Sequence, residues 1–154
     1  MKDGFTLIEL LIYLVILAII IVLVGEVFIL FVSSEKKIEA RKEVEKNLDI
    51  AVKKITQSIK EASDISGDYP SNTLSLVNAT TTYTFENGVL KKDGISITSD
   101  KVMVATTSDF LYYKLQADET TKPGVQIKMR VNYKSGDPKL SAISAETQTS
   151  VSLR

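Results

Sequence analysis

The sequence contains no cysteine and no histidine. The first absence excludes disulfides and thiolate nucleophiles, the second excludes imidazole bases, and together they remove the usual zinc and haem ligands. An excess of charge of one sign is missing as well. In 154 residues, 19 Lys and Arg stand against 19 Asp and Glu, which leaves no net field to attract a polyanion. Serine is plentiful, but without histidine a serine nucleophile would need a neutral lysine beside it, and no motif supplies one. The length fits one domain, and no enzymatic activity, cofactor or metal centre is expected.

What is present is unevenly distributed. Of the first 32 residues, 25 are apolar, whereas the rest of the chain carries 18 basic and 16 acidic residues. Every residue from Leu10 to Val24 is apolar, and after Gly25 and Glu26 the run resumes from Val27 to Val32. At about 1.5 Å per residue, a helix from Phe5 to Val32 spans roughly 40 Å, enough to cross a hydrocarbon core of about 30 Å. Its many Ile and Val residues favour a strand in water. In lipid the backbone must satisfy its own hydrogen bonds, so a single segment becomes a helix.

Two ordinary readings of this segment are available. A cleavable secretory signal has an apolar core of about 7–15 residues before a small-residue cleavage site; the run here is longer, although Val32-Ser33-Ser34 could pass as such a site. A signal anchor fits the length. Neither accounts for Glu9, a carboxylate near the start of the run, which would cost about 2.5–3.5 kcal/mol at a helix centre and less near the interface. No basic residue lies between Phe5 and Val32, so a cation from another molecule is the obvious partner. The α-amino group created by a cut just before Phe5 would be one. Glu26 poses the same problem more mildly, beside Gly25 and about two turns from Ser33.

Gly4-Phe5-Thr6-Leu7-Ile8-Glu9-Leu10-Leu11, followed directly by a long aliphatic run, resembles the class III signal of type IV pilins and type II secretion pseudopilins. The resemblance implies that prepilin peptidase cuts between Gly4 and Phe5 and N-methylates Phe5, with Gly4 as the recognition residue. It also implies that Glu9 neutralises the N-terminal amine of a neighbouring subunit's Phe5 during assembly, which sets axial register. The leader Met1-Lys2-Asp3-Gly4 is short, and Asp3 stands where a second basic residue often precedes the glycine. The later part of the apolar run lacks the proline of many major pilins; Gly25 is the alternative weak point. Tyr13 is similar to a tyrosine of some minor pilin groups, and the ending Thr149-Ser150-Val151-Ser152-Leu153-Arg154 to the carboxyl ends of many minor pilin-like proteins.

From Glu35 to Ile65 the composition is helical, without Pro or Gly. Leu48, Val52, Ile55, Ile59 and Ala62 recur at steps of four and three and predict an apolar stripe, extended less regularly by Ile38 and Val44. Glu39 with Lys42, Lys42 with Glu45 and Glu43 with Lys46 are favourable pairs on its solvated side. Gly67, Pro70 and Asn72 end the helical pattern. Thr81 to Glu86, Asn87-Gly88 and Val89 to Lys92 predict a hairpin in which Phe85 faces Leu90. Further strands are expected at Leu74 to Val77, Ile95 to Thr98, Val102 to Ala105, Phe110 to Leu115, Val125 to Lys134 and Ile143 to Leu153. Turns are expected at Lys122-Pro123-Gly124 and Ser135-Gly136-Asp137-Pro138.

Candidate sites in the polar part are weak. Asp64, Asp68 and Asp137 are possible calcium ligands without a binding-loop spacing, and turn aspartates are their ordinary explanation. Asn78-Ala79-Thr80 matches a glycosylation sequon by spacing alone. Lys128, Arg130 and Lys134, with Lys91 and Lys92, form the one hint of a DNA-binding face, although strand exteriors are routinely rich in lysine.

The expected fold is α+β and pilin-like, a long N-terminal helix packed on a C-terminal antiparallel sheet. Residues 1–4 are expected to be leader, 5–32 the membrane and assembly helix, 33–66 an amphipathic helix and 67–154 the β domain. The resemblance implies a structural subunit, more like a minor pilin or a pseudopilin, of a type IV pilus, a type II secretion pseudopilus or a DNA-uptake filament used in competence. Its partners would be other pilin or pseudopilin subunits, prepilin peptidase, an inner-membrane assembly platform and, before assembly, membrane lipid. Its C-terminal domain would lie outside the cytoplasmic membrane. The competing reading is a single-pass anchored extracellular binding protein that never polymerises.

Overall fold

A computed structural model describes residues 6–77, 81–113 and 124–153. It divides into two compact units at Ile38 and Glu39. Helix α1, Leu7–Glu61, runs for 55 residues and contributes to both. In the first unit the side chains of this helix are exposed, apart from half-buried Val32. That is the pattern of a helix built for a solvent other than water.

The second unit packs the rest of α1 on two antiparallel sheets. The first has the order β1-β2-β3-β4-β5, with β1 at Asp64–Ser66, β2 at Thr73–Val77, β3 at Thr81–Glu86, β4 at Val89–Lys92 and β5 at Ile95–Ser96. The second is centred on β8, Gly124–Tyr133. Strand β9, Ser144–Ser152, lies on one edge of β8, while β6, Val102–Val104, and β7, Asp109–Tyr113, share the other. A bridge between Ser71 and Phe110 joins the sheets, with backbone hydrogen bonds of 3.1 and 2.8 Å. The rings of Phe85 and Phe110 stack at 4.7 Å between centroids. They join one core with Ile55 and Ile59 of α1, Tyr83 of β3, and Ile127 and Met129 of β8. The α+β architecture expected from the sequence is therefore present.

The hairpin forms as expected. Asn87 and Gly88 take φ values of 53° and 74°, and Phe85 pairs with Leu90. A second two-residue turn of the same kind, Asp93-Gly94, with φ of 51° and 81°, leads from β4 into β5. In β8, Val125, Ile127, Met129 and Val131 are buried, while the residues between them are at least partly exposed.

Three expectations need correction. The helical composition extends to Ile65, but α1 ends at Glu61, and Asp64–Ser66 forms β1 against β2 with Ile65 buried. Pairing with Leu76 outweighs the weak helix preference of Ser63-Asp64-Ile65. The buried face of α1 is also rotated from the expected stripe. Ala40, Val44, Asn47, Ala51, Ile55, Ser58, Ile59 and Ala62 are buried, Leu48 and Val52 are only partly so, and Ile38 is exposed. That face mixes Val44, Ile55 and Ile59 with small or polar residues, Ala40, Asn47, Ala51 and Ser58, which a hydrophobicity pattern passes over. The Ser135–Pro138 turn continues into a short helix α2, Pro138–Ser141, capped by Asp137, which accepts a 2.8 Å hydrogen bond from the Lys139 N–H. The sequon Asn78-Ala79-Thr80, the Lys122-Pro123 part of the later turn, and Lys114 and Leu115 of the expected β7 lie outside the described residues.

Two buried polar contacts fasten α1 to the sheets. Tyr83 donates its hydroxyl proton to the Lys54 carbonyl at 3.2 Å and lies 2.8 Å from the Ser58 hydroxyl. Asn47 donates to the Glu43 carbonyl and carboxylate at 2.9 and 3.0 Å, and its own carbonyl accepts from the Ser99 N–H at 2.8 Å. Glu43 thus serves Asn47, and among the described residues the ion pairs lie elsewhere, at Asp49–Lys53 and Glu86–Lys91.

Candidate assembly site at the helix start

The first turn of α1 is built around Thr6 and Glu9. The Glu9 N–H meets the Thr6 carbonyl at 3.1 Å and the Thr6 hydroxyl at 3.4 Å, which caps the helix from the residue before it. Thr6-Leu7-Ile8-Glu9 has the spacing of a capping box, a second local signal in the sequence beside the charge of Glu9. It fixes where the helix begins and places a carboxylate in the first turn, at the positive end of the helix dipole.

That placement compensates the charge only in part. A carboxylate at a helix N-terminus gains about 0.3–1 kcal/mol, against about 2.5–3.5 kcal/mol for a charge at mid-hydrocarbon. Among the described residues Glu9 enters no ion pair, and its side chain is exposed. Gly4 and Phe5, the expected cleavage and methylation residues, lie outside the described residues. Tyr13 stands one turn beyond Glu9, on the same side of the helix.

Glu26 is likewise exposed and enters no ion pair among the described residues. A Cβ added to Gly25 would meet nothing within 4 Å, so the helix surface is open there. Beside it Leu23, Val24, Val27, Phe28 and Phe31 form an exposed apolar patch on the helix surface. Farther along, the Ser33 and Ser34 hydroxyls both donate to the Leu30 carbonyl, at 2.9 and 2.8 Å. Helix α1 is long and apolar enough to cross a membrane.

The other candidates do not converge into a site. Asp64 accepts from the Ile65 N–H and Asp137 caps α2, so each has a local backbone role. No group of three or more acidic residues that could hold a metal occurs among the described residues. On β8, Arg130 is paired directly opposite Glu146 of β9, and Lys128 lies between Gln148 of β9 and Asp109 of β7. Lys91 is ion-paired with Glu86 at 2.8 Å, and Lys92 lies over the Tyr83 ring at 5.7 Å. The basic residues are thus interleaved with acids or directed at neighbours within the fold.

Residues 1–25 match the family described as the prokaryotic N-terminal methylation motif. No curated protein and no solved structure matches the chain. The motif supports a type IV pilin-like precursor of the kind that prepilin peptidase processes, and with the long apolar helix it supports anchoring in a membrane.

Proposed function

We propose that this chain is a structural filament subunit, a minor pilin or a pseudopilin, whose leader Met1–Gly4 is removed and whose Phe5 is N-methylated before assembly. Before assembly, α1 anchors the subunit in the cytoplasmic membrane with the β-rich unit outside. During assembly it leaves lipid for a bundle of identical helices. Apolar burial gains little in that exchange, because lipid is as apolar as the bundle. Packing and charge neutralisation decide it instead.

The observation that carries this reading is Glu9. It lies in the first turn of α1, whose apolar stretch up to Val32 has no basic residue, within a methylation motif whose cleaved form would begin with a free amine at Phe5. Pairing Glu9 with the Phe5 amine of a neighbour removes two isolated charges from an apolar environment in one step. The β-rich unit, in which Arg130 stands opposite Glu146 and Lys91 pairs with Glu86, suits a polar coat around such a bundle.

The experiment is mass spectrometry of the mature N terminus of the chain from its host. A chain beginning at methylated Phe5 supports the reading. An intact Met1 would favour a permanently anchored binding protein, and a start after Ser34 would indicate ordinary secretion.

A further inference from the structure

The apolar segment carries a second acid that the Glu9–Phe5 contact leaves unused. Glu26 and Lys37 both lie on α1 within the first unit, both are exposed, and neither enters an ion pair among the described residues. Eleven residues of helix separate them, about 16 Å along the axis, too far for a bond within one chain. At about 100° per residue they nevertheless fall within about 20° of one line along the helix. One chain therefore displays an acid and a cation on the same strip with no means of joining them.

A parallel second copy, displaced along the axis, joins them. Placing the next subunit's Phe5 amine level with Glu9 raises that subunit by four residues, about 6 Å. Placing its Glu26 level with Lys37 of the first raises it by eleven residues, about 16 Å. The two displacements have the same sign. A stagger near 10 Å leaves each pair about 5 Å apart along the axis, a gap that glutamate and the long lysine stem span.

The helix faces agree as well. Lys37 lies about 80° around the helix from Glu9, whereas Lys36 lies about 180° from it, so Lys37 and not Lys36 can serve the neighbour that Glu9 serves.

We propose that Lys37 of one subunit pairs with Glu26 of the next, so that each contact between neighbours carries two ion pairs running in opposite senses. This rests on the assembly reading above and adds to it a second register-setting contact and a preferred stagger. Two pairs of opposite sense also reject a neighbour inserted at zero stagger, which would set Glu9 against Glu9 and Glu26 against Glu26.

The chain has no native cysteine, so introduced cysteines report cleanly. In filaments sheared from the host, a Glu26→Cys, Lys37→Cys chain treated with a bismaleimide of about 10 Å reach should give a ladder of dimers and higher multimers, at least about fivefold stronger than Glu26→Cys with Lys36→Cys. Glu26→Lys and Lys37→Glu should each lower the yield of sheared filament about tenfold at unchanged membrane levels, and the double exchange should bring it back to within about twofold. Filaments that still require Glu9, but show neither the crosslink preference nor the rescue, would overturn the Glu26–Lys37 pairing and leave the assembly reading intact. A wild-type chain found in no assembled filament, neither sheared from the surface nor recovered as a periplasmic pseudopilus, would overturn both.

Discussion

The hydroxyls of Ser58 and Tyr83 lie 2.8 Å apart, and because Tyr83 gives its proton to the Lys54 carbonyl, Ser58 is the donor between them. Both residues are buried, Tyr83 completely. A phenol in the core is thereby paired at its oxygen twice, once as donor and once as acceptor, and α1 is held to β3 at a fixed height. Tyr83→Phe should lower the stability of the detergent-solubilised chain by about 1–2 kcal/mol in urea unfolding, because Ser58 is left buried without its partner. Adding Ser58→Ala should recover part of that loss. A double variant with the full sum of the two single losses would show that the hydroxyls do not act as a pair.

Asn47 is the second fastening. Its carbonyl takes the Ser99 N–H, and its amide donates to the Glu43 backbone carbonyl and to one oxygen of the Glu43 carboxylate. Asn47→Ala should cost about 2 kcal/mol, and Asn47→Leu should cost no less despite restoring volume, since the Ser99 N–H loses its acceptor in both. Equal stability of Asn47→Leu and wild type in urea unfolding would contradict this account.

Gly88 has φ of +74°, and a Cβ placed there would sit 2.6 Å from the Met103 Cγ. Gly88→Ala should therefore destabilise by about 2 kcal/mol or more, from backbone strain together with overpacking. Met103→Ala in the same chain should relieve the contact but not the backbone strain, so thermal unfolding should return only part of the way to wild type.

Glu9→Val should leave the amount of membrane-held chain unchanged or slightly raised, since removing a carboxylate eases insertion. It should strongly reduce the chain recovered in sheared filaments, as measured by immunoblot of both fractions. Unaltered recovery would remove the role given to this residue.

The hairpin could be read from the sequence because its signal is local: Asn87-Gly88 needs only its own φ preferences and the alternation on either side. The same holds for β8, whose alternation survives intact in the fold. Asp93-Gly94 carries an equally local turn signal ahead of the short β5. What was hidden depends on distant partners. Nothing within Ser63-Asp64-Ile65 announces a strand until β2 lies beside it. The buried face of α1 uses Ala40, Asn47, Ala51 and Ser58, which a hydrophobicity pattern discounts, because their value lies in being small or in bonding to Ser99 and Tyr83. At the helix start, Glu9 stood out by its chemistry. The counterpart proposed for it belongs to a second molecule, which a single chain cannot display.

Ser33 and Ser34 donate both their protons to the one carbonyl of Leu30, which lowers the cost of withdrawing either hydroxyl from water. In a membrane-anchored subunit the oily stretch could then slip past Val32 by about two residues, some 3 Å, before Glu35 and the lysines behind it call a halt. Such a subunit would tolerate bilayers of slightly unequal thickness, a latitude set by two small side chains turned back upon their own helix.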